Sequence, residues 1–303
     1  MKKLLTVVAT VVVLVIILAG VVRWMNTSSD EQPGSQAPPS SSEQPSQPDS
    51  CPAVEVISAP GTWESARDDD PLNPMANPAS FMLSISRPLQ EQYAGDVLVW
   101  TLPYTAQFRN INSQEEMSYD ESRQEGTSTL EGELVRMHKE CPQTDFVMAG
   151  FSQGAVIVGD IANRIGTGAG VIPAERVRGV ALIADGRREP GVGQAVGNPV
   201  AGVGAEIALQ PLNLLIQPIV PGATMRGPRV GGFGELDAKT VEICAPDDTI
   251  CDAPRDVGNA LARAQALVEA NGVHALYATN PNVFPGTTTN QWVVDWIKGL
   301  IDG

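Results

Sequence analysis

The sequence predicts an α/β fold: a mainly parallel sheet with helices on both faces, preceded by a transmembrane helix. Three observations predict it. Short, near-continuous apolar runs alternate with amphipathic helical stretches over residues 51–303, the pattern of strands buried on both faces by crossover helices. Residues 4–22 are almost entirely Leu, Val, Ile and Ala behind Lys2 and Lys3. Composition then changes abruptly at Cys51, after a stretch with no apolar period.

The apolar run is long enough to cross the hydrocarbon core, which takes about 20 helical residues. Lys2, Lys3 and the amino terminus precede it, while Asp30 and Glu31 follow soon after Arg23. That charge bias keeps the N-terminus in the cytoplasm and exports the rest. A cleaved signal peptide would have a shorter apolar core and a small-x-small cleavage site. Val21, Val22, Arg23 and Trp24 make a poor one. Residues 1–25 are therefore expected to be an uncleaved single-pass anchor in the cell membrane; cleavage would leave a secreted protein. Residues 26–50, rich in Ser, Pro, Gln and acidic side chains, bury too little to offset chain entropy and read as a disordered linker. Residues 51–303 suffice for one α/β domain.

Within that domain the strands are expected at 53–58 (AVEVIS), 96–101 (DVLVWT), 145–150 (DFVMAG), 180–184 (VALIA) and 240–244. Pro78 opens a helical pattern with Phe81, Ile85 and Leu89 on one face, closed by Gly95. Leu130, Leu134 and Met137 mark a second helix, and residues 155–165 a third. Val257, Leu261, Ala264, Leu267 and Val268 form a stripe ending near Gly272, and Trp292, Trp296, Ile297 and Leu300 form the last. Reactive groups of such sheets gather at the carboxyl ends of the strands. The loops after Ser58, Gly150 and Cys244 are thus expected to lie together.

Charge and cysteine usage exclude other chemistry. A net charge of −15 argues against nucleic-acid binding, which needs basic surface. The four cysteines all follow the apolar run, and an even count outside the cytoplasm suggests disulfides. A zinc site would want closely paired Cys or His, whereas the histidines are His138 and His274 alone. No metal and no organic cofactor is expected.

Gly150-Phe151-Ser152-Gln153-Gly154 is a G-x-S-x-G sequence set between a strand and a helix. The pentapeptide alone is a weak signal; its position is the stronger one. In a nucleophile elbow a strained turn projects the serine hydroxyl, and the glycines let strand and helix approach. A serine hydroxyl needs a base. His274 follows Ser152, as the order serine, acid, histidine of α/β-hydrolases requires. His138 precedes it, near the C-terminus of a helix where a solvated, dipole-compatible residue is expected. The acid must lie between, among Asp247, Asp248, Asp252 and Asp256, and position alone does not separate Asp247 from Asp248.

These residues carry a resemblance to the cutinases and their actinobacterial relatives, over roughly residues 51–301. It rests on GFSQG at 150–154, on Cys141 eleven residues before the serine, and on the segment CAPDDTIC at 244–251. The family pattern of Cys, three residues, Asp, two residues, Cys implies Asp248 as the catalytic acid. The resemblance also pairs Cys51 with Cys141 and Cys244 with Cys251. It implies an oxyanion hole made by the amide of Gln153 and the hydroxyl of Thr62, within Pro60-Gly61-Thr62-Trp63-Glu64. That segment departs from the family's Arg-Gly-Ser-Thr-Glu-like stretch, and the interval from Asp248 to His274 exceeds that of secreted fungal cutinases.

Residues 187–239 have no clear counterpart in compact cutinases. Their apolar part, IALQPLNLLIQPIV at 207–220, reads either as a core helix interrupted by Pro211 and Pro218 or as a lid bordering the site. The resemblance implies a serine esterase of the lipase, phospholipase A or thioesterase type, acting on acyl esters of envelope lipids outside the cytoplasm. A transferase using an alcohol in place of water would need the same residues. A polysaccharide acetyl esterase and a catalytically silent lipid-binding envelope protein are the alternatives. The expected partners are the acyl-ester substrate and the membrane; no protein partner can be read.

Overall fold

Among the described residues, six parallel strands are laid down in the order β2-β1-β3-β4-β6-β5. They are β1 (Val54–Ala59), β2 (Val97–Thr101), β3 (Asp145–Phe151), β4 (Val177–Ile183), β5 (Gln194–Val196) and β6 (Thr240–Ile243). The computed structural model describes residues 47–255 and 272–303. The anchor expected at 1–25, most of the linker, Asp256 and the stripe from Val257 to Val268 lie outside the described residues. Among the described residues no helix is long and apolar enough to cross a membrane.

Alternation along each strand divides the core in two. Val54, Val56, Val147, Ala149, Ala181 and Ile183 pack on one face. There they meet Ile85 and Leu89 of α1 (Leu83–Gln92) and Val293 and Ile297 of α6 (Thr289–Asp302). Ile57, Phe146, Met148, Val180 and Leu182 point to the other face. Their partners are Leu130, Leu134 and Met137 of α2 (Tyr119–Glu140) and Ile157, Val158 and Ile161 of α3 (Gln153–Gly166). Burial on both faces explains the uninterrupted apolar runs. A Cys51–Cys141 disulfide ties the approach to β1 to the end of α2, and a Cys244–Cys251 disulfide closes the loop after β6.

Boundaries differ from expectation where a local interaction outweighs periodicity. The helix expected from Pro78 starts at Leu83, because the Glu64 carboxylate takes the Phe81 amide at 2.6 Å and holds the preceding turn open. α2 begins at Tyr119, earlier than its apolar stripe, at a capping box formed by Ser118 and Glu121. β4 runs back to Val177 across Gly179, where a Cβ would meet Leu300 and Trp296 at 2.5 and 2.8 Å. Glycine there lets α6 sit close. β5 went unpredicted: three residues beside Gly193 and Gly197, both at positive φ, offer no period to read.

Residues 187–239 prove to be of two kinds. β5 pairs with β6 as part of the sheet. Arg226 and Arg229 are bound into a buried ion network, in which Asp160 of α3 meets Arg187 (2.8 Å), Arg226 and Arg229 (2.9 Å). Asp185 meets Arg229 at 2.6 Å, and Glu206 meets Arg226 at 2.8 Å. Between these fixed parts, α4 (Ala205–Leu209) and α5 (Asn213–Ile216) are separated by a turn containing Pro211. Leu209, Ile216, Val220, Ala223 and Met225 form a small core of their own on Tyr119.

Two buried carboxyls, Glu55 of β1 and Glu242 of β6, break the apolar pattern of the strands. Glu55 of β1 is fully buried, and burial, with the carboxylate of Glu133 nearby, pushes its carboxyl up to about 9. The unfolded chain ionises this group from about pH 4.3 upward, while the fold keeps it protonated. Glu55 therefore costs the fold stability increasingly as pH rises from that value toward 9. Glu55→Gln should raise the melting temperature by about 5 °C or more at pH 8 and change it little at pH 4. Thermal unfolding followed by circular dichroism at the two pH values checks this.

Candidate active site

The geometry starts at the turn from β3 into α3. Ser152 has φ 53° and ψ −116°, a region that L-residues adopt only under constraint. Its amide is held by Ile183 O at 2.8 Å. A Cβ at Gly150 would collide with the Gly154 carbonyl, and one at Gly154 with the carbonyls of Ala59 and Pro60. Both glycines are needed to bring the helix start against β1. The hydroxyl thus stands at the carboxyl edge of the sheet, over the N-terminus of α3, where developing negative charge is favoured.

Asp248 lies in the loop closed by Cys244–Cys251 and is fully buried. Asp247 beside it has φ 66° and is exposed, so the backbone turns one carboxylate outward and the other inward. Asp252 instead accepts the amides of Gly202 and Asp247. Asp247 and Asp248, which position alone left open, are thus separated by burial. His274 sits on a 3-10 turn at His274–Leu276. Its Nδ1 is 3.0 and 3.2 Å from the Asp248 oxygens, and its Nε2 is 2.9 Å from Ser152 Oγ. With a carboxylate on one side, Nδ1 is the donor and Nε2 accepts from the serine hydroxyl. The imidazole stacks on Phe151 at 5.1 Å between centroids. His138, in the last turn of α2, does not line the site.

Tyr277, one 3-10 turn beyond His274, escaped the sequence reading. Its hydroxyl donates to Asp248 Oδ2 at 2.7 Å and accepts the Ala245 amide at 2.9 Å. Burial, then the adjacent Asp248, hold the phenol well above its usual pKa, so it stays a donor. Ile250 N gives the carboxylate a further hydrogen bond at 3.0 Å. The spacing from the histidine was the available signal, but an aromatic at that distance is ordinary in a core.

On the opposite side, Thr62 Oγ1 donates to Gln153 Oε1 at 3.1 Å, and Gln153 Nε2 donates to Ser122 Oγ at 2.9 Å. The Thr62 loop is held by Glu64, which accepts the amides of Gly61 (3.0 Å) and Phe81. Burial raises the Glu64 carboxyl, and these amides partly offset the rise. Trp63 has φ 64° and ties its indole to Glu116 at 3.0 Å. Glu64 and Trp63 were quoted in the sequence motif without a role; the structure gives them the loop to hold.

Thr62, Ser152, Gln153 and His274 open into a cavity of ≈ 400 Å³. One wall carries Phe81, Phe151 and Tyr277; the other carries Phe108, Tyr119 and Met225. Glu206 also reaches the second wall, but Tyr119 Oη (2.7 Å) and Arg226 occupy its oxygens, leaving that wall without a free anion. Among the described residues no cluster of His, Cys, Asp and Glu is arranged to hold a metal ion.

A hydroxyl hydrogen-bonded to an imidazole, facing apolar walls, suits attack on an acyl carbonyl. On a parallel sheet that presents it from a strand-to-helix turn, this defines a serine carboxylic ester hydrolase of the α/β-hydrolase type. Comparison with known proteins narrows the class. Residues 50–266 match the family described as Cutinase. The chain is 67% identical to a protein of Corynebacterium glutamicum named "Carboxylesterase Culp6 homolog", with 100% of this chain and 99% of that protein covered. It belongs to the cutinase family. The family match stops short of His274, beyond the long interval that follows Asp248. Among solved structures it is similar to the catalytic core of an acetyl xylan esterase from Trichoderma reesei (20% identity, 74% and 98% of the two chains, TM-score 0.47). Lysin B from Mycobacteriophage D29 is another (15% identity, 81% and 99%, TM-score 0.46).

Proposed function

We propose that this enzyme hydrolyses acyl esters of lipids outside the cytoplasm, with Ser152 as nucleophile, His274 as base and Asp248 as the acid that orients it. The observation that carries the reading is the unbroken hydrogen-bonded line from Asp248 through His274 to Ser152, opening between two apolar walls. His274 takes the Ser152 proton as Oγ attacks the carbonyl. Asp248, itself held by Tyr277, stabilises the imidazolium, and the oxyanion is received by the backbone amide of Gln153 and by the Thr62 hydroxyl, which turns its proton from Gln153 Oε1 to the oxyanion. The alcohol leaves with the proton from His274. Water, deprotonated by the same imidazole, then releases the acid.

The leaving alcohol must pass on the His274 side, against Phe81, Phe151 and Tyr277. The acyl chain then occupies the other wall, where Phe108, Tyr119 and Met225 meet. Apolar walls on both sides favour a lipid ester over an acetyl group on a sugar. The carboxylesterase name of the Corynebacterium glutamicum relative agrees with the reaction type. Two disulfides fit an oxidising compartment, and the apolar run at 4–22 fits attachment to the cell membrane with the enzyme on its outer side. The inner side of residues 205–225, where Ala205, Glu206 and Met225 line the cavity, is proposed to act as the lid.

A fluorophosphonate probe and a series of p-nitrophenyl esters test the reading. We expect stoichiometric labelling that is lost in Ser152→Ala, and higher kcat/KM for octanoate and laurate esters than for acetate. Deleting residues 204–220 should depress activity on laurate far more than on butyrate. Absence of labelling would favour a silent lipid-binding protein, and a preference confined to acetate would favour a polysaccharide esterase.

A further inference from the structure

The lobe that forms the second wall has an outer side as well. Leu214 and Leu215, adjacent on α5, are 90% and 61% exposed, and Ile111 is 47% exposed. The Ile111 loop adjoins this lobe, since the Ile111 amide is bound by Ile219 O at 3.1 Å. Ile216, next in the chain, is buried with Val220 and Met225. Single exposed leucines are ordinary, but an adjacent pair on a lobe that also lines a cavity calls for a partner.

Charge and chain length point to one partner. Residues 207–225 contain no Asp, Glu, Lys or Arg, in a chain whose net charge is −15. The acyl boundary below the lipid headgroups accepts an uncharged apolar tip. The chain also carries the apolar run at 4–22, and residues 26–46 lie between it and the first described residue. Fully extended, that stretch spans roughly 70 Å, more than the roughly 45 Å across a globular body of this size. Its length therefore lets any face of the enzyme meet the bilayer.

We propose that Leu214 and Leu215, with Ile111 beside them, dock the enzyme on the surface of a lipid bilayer, so that an acyl ester passes from the bilayer along the inner side of the same lobe to Ser152. This rests on the lipid-ester reading above and adds the surface that delivers the substrate. Docking through the outer leucines leaves the inner wall, and hence turnover of a dissolved ester, unaltered.

The test uses the full chain reconstituted in phosphatidylcholine vesicles doped with a fluorogenic long-chain ester. Leu214→Ser with Leu215→Ser should lower the vesicle-ester rate about a hundredfold, the scale expected for losing burial of two leucines, while p-nitrophenyl butyrate turnover stays unchanged. An unchanged vesicle rate overturns the proposal. So does conversion of a dimer to a monomer by the double variant, which would make a second copy the occupant. If both rates fall together, Leu214→Trp with Leu215→Trp decides: a retained or raised vesicle rate supports docking, and a lowered one overturns it. A separate readout needs no catalysis. In a Ser152→Ala background, the added fluorescence of Leu215→Trp should be quenched by brominated phosphatidylcholine, and its absence overturns docking. Failure of the lipid-ester reading appears elsewhere, as a wild-type enzyme that neither takes the fluorophosphonate label nor turns over soluble esters.

Discussion

Replacing Ser152 by alanine is expected to lower kcat on p-nitrophenyl butyrate by about 10⁴–10⁶, with the fold intact. The oxygen removed is the atom that bonds to the acyl carbon, so no neighbour substitutes for it. Asp248→Asn should approach the same loss, about 10⁴, for a different reason. An amide at that position can present its NH₂ to His274 Nδ1, which forces the proton onto Nε2 and leaves no acceptor for the serine hydroxyl. The remaining carbonyl oxygen can still accept from Tyr277 or from the Ile250 amide, though not from both, so an unchanged melting temperature would assign the loss to the tautomer. Thr62→Val removes the proposed second oxyanion donor and should cost about 10²–10³. Steady-state kinetics with unchanged melting temperatures checks all three; a Ser152→Ala enzyme with more than a hundredth of wild-type activity would refute the assignment.

The second large effect falls on stability. Asp160 sits on the buried side of α3 with the guanidinium groups of Arg187, Arg226 and Arg229 around it. Burial disfavours its charge, but Arg229, Arg226 and Arg187 outweigh burial and hold the carboxyl far below the usual range. Asp160→Ala leaves Arg229, almost fully buried, with Asp185 as its remaining anion, and brings uncompensated like charges together. Removing one partner of a buried ion pair typically costs about 3–5 kcal/mol, and three arginines share this one. We expect a loss at the upper end of that range in urea unfolding. Because the folded pKa is depressed, this stabilisation is present above the unfolded value near pH 4 and is lost as pH falls below it. The wild type should therefore lose part of its advantage over Asp160→Ala in acid. The change lies behind the lobe of residues 205–225, so turnover of long-chain esters should suffer along with stability.

Five of the six strands were legible because each is buried on both faces, so its apolar run is continuous. β5 was not, since an edge strand of three residues among glycines needs no apolar pattern, only a free edge on β6. The strand-to-helix turn at Ser152 was legible because backbone constraint there is written in local chemistry: two glycines and a serine at fixed spacing. Tyr277, Glu64 and Glu206 were not, for they act by hydrogen-bonding to groups distant in the chain, and a single such contact leaves no period or spacing behind. The same limit kept Asp247 and Asp248 apart only by family resemblance until the turn at φ 66° sent one to solvent and the other inward.

The amino-acid sequence by itself determined the alternation of strand and helix, the strained turn that carries the serine, and the apolar, uncharged character of residues 207–225. These are properties of local residue pattern, where backbone geometry and burial leave a regular trace. Only the tertiary structure decided which carboxylate meets the imidazole, which arginines pin the insertion to α3, and which leucines of that insertion face inward or out. Those outcomes depend on distances between segments far apart in the chain, and such distances exist only once the sheet has brought them together.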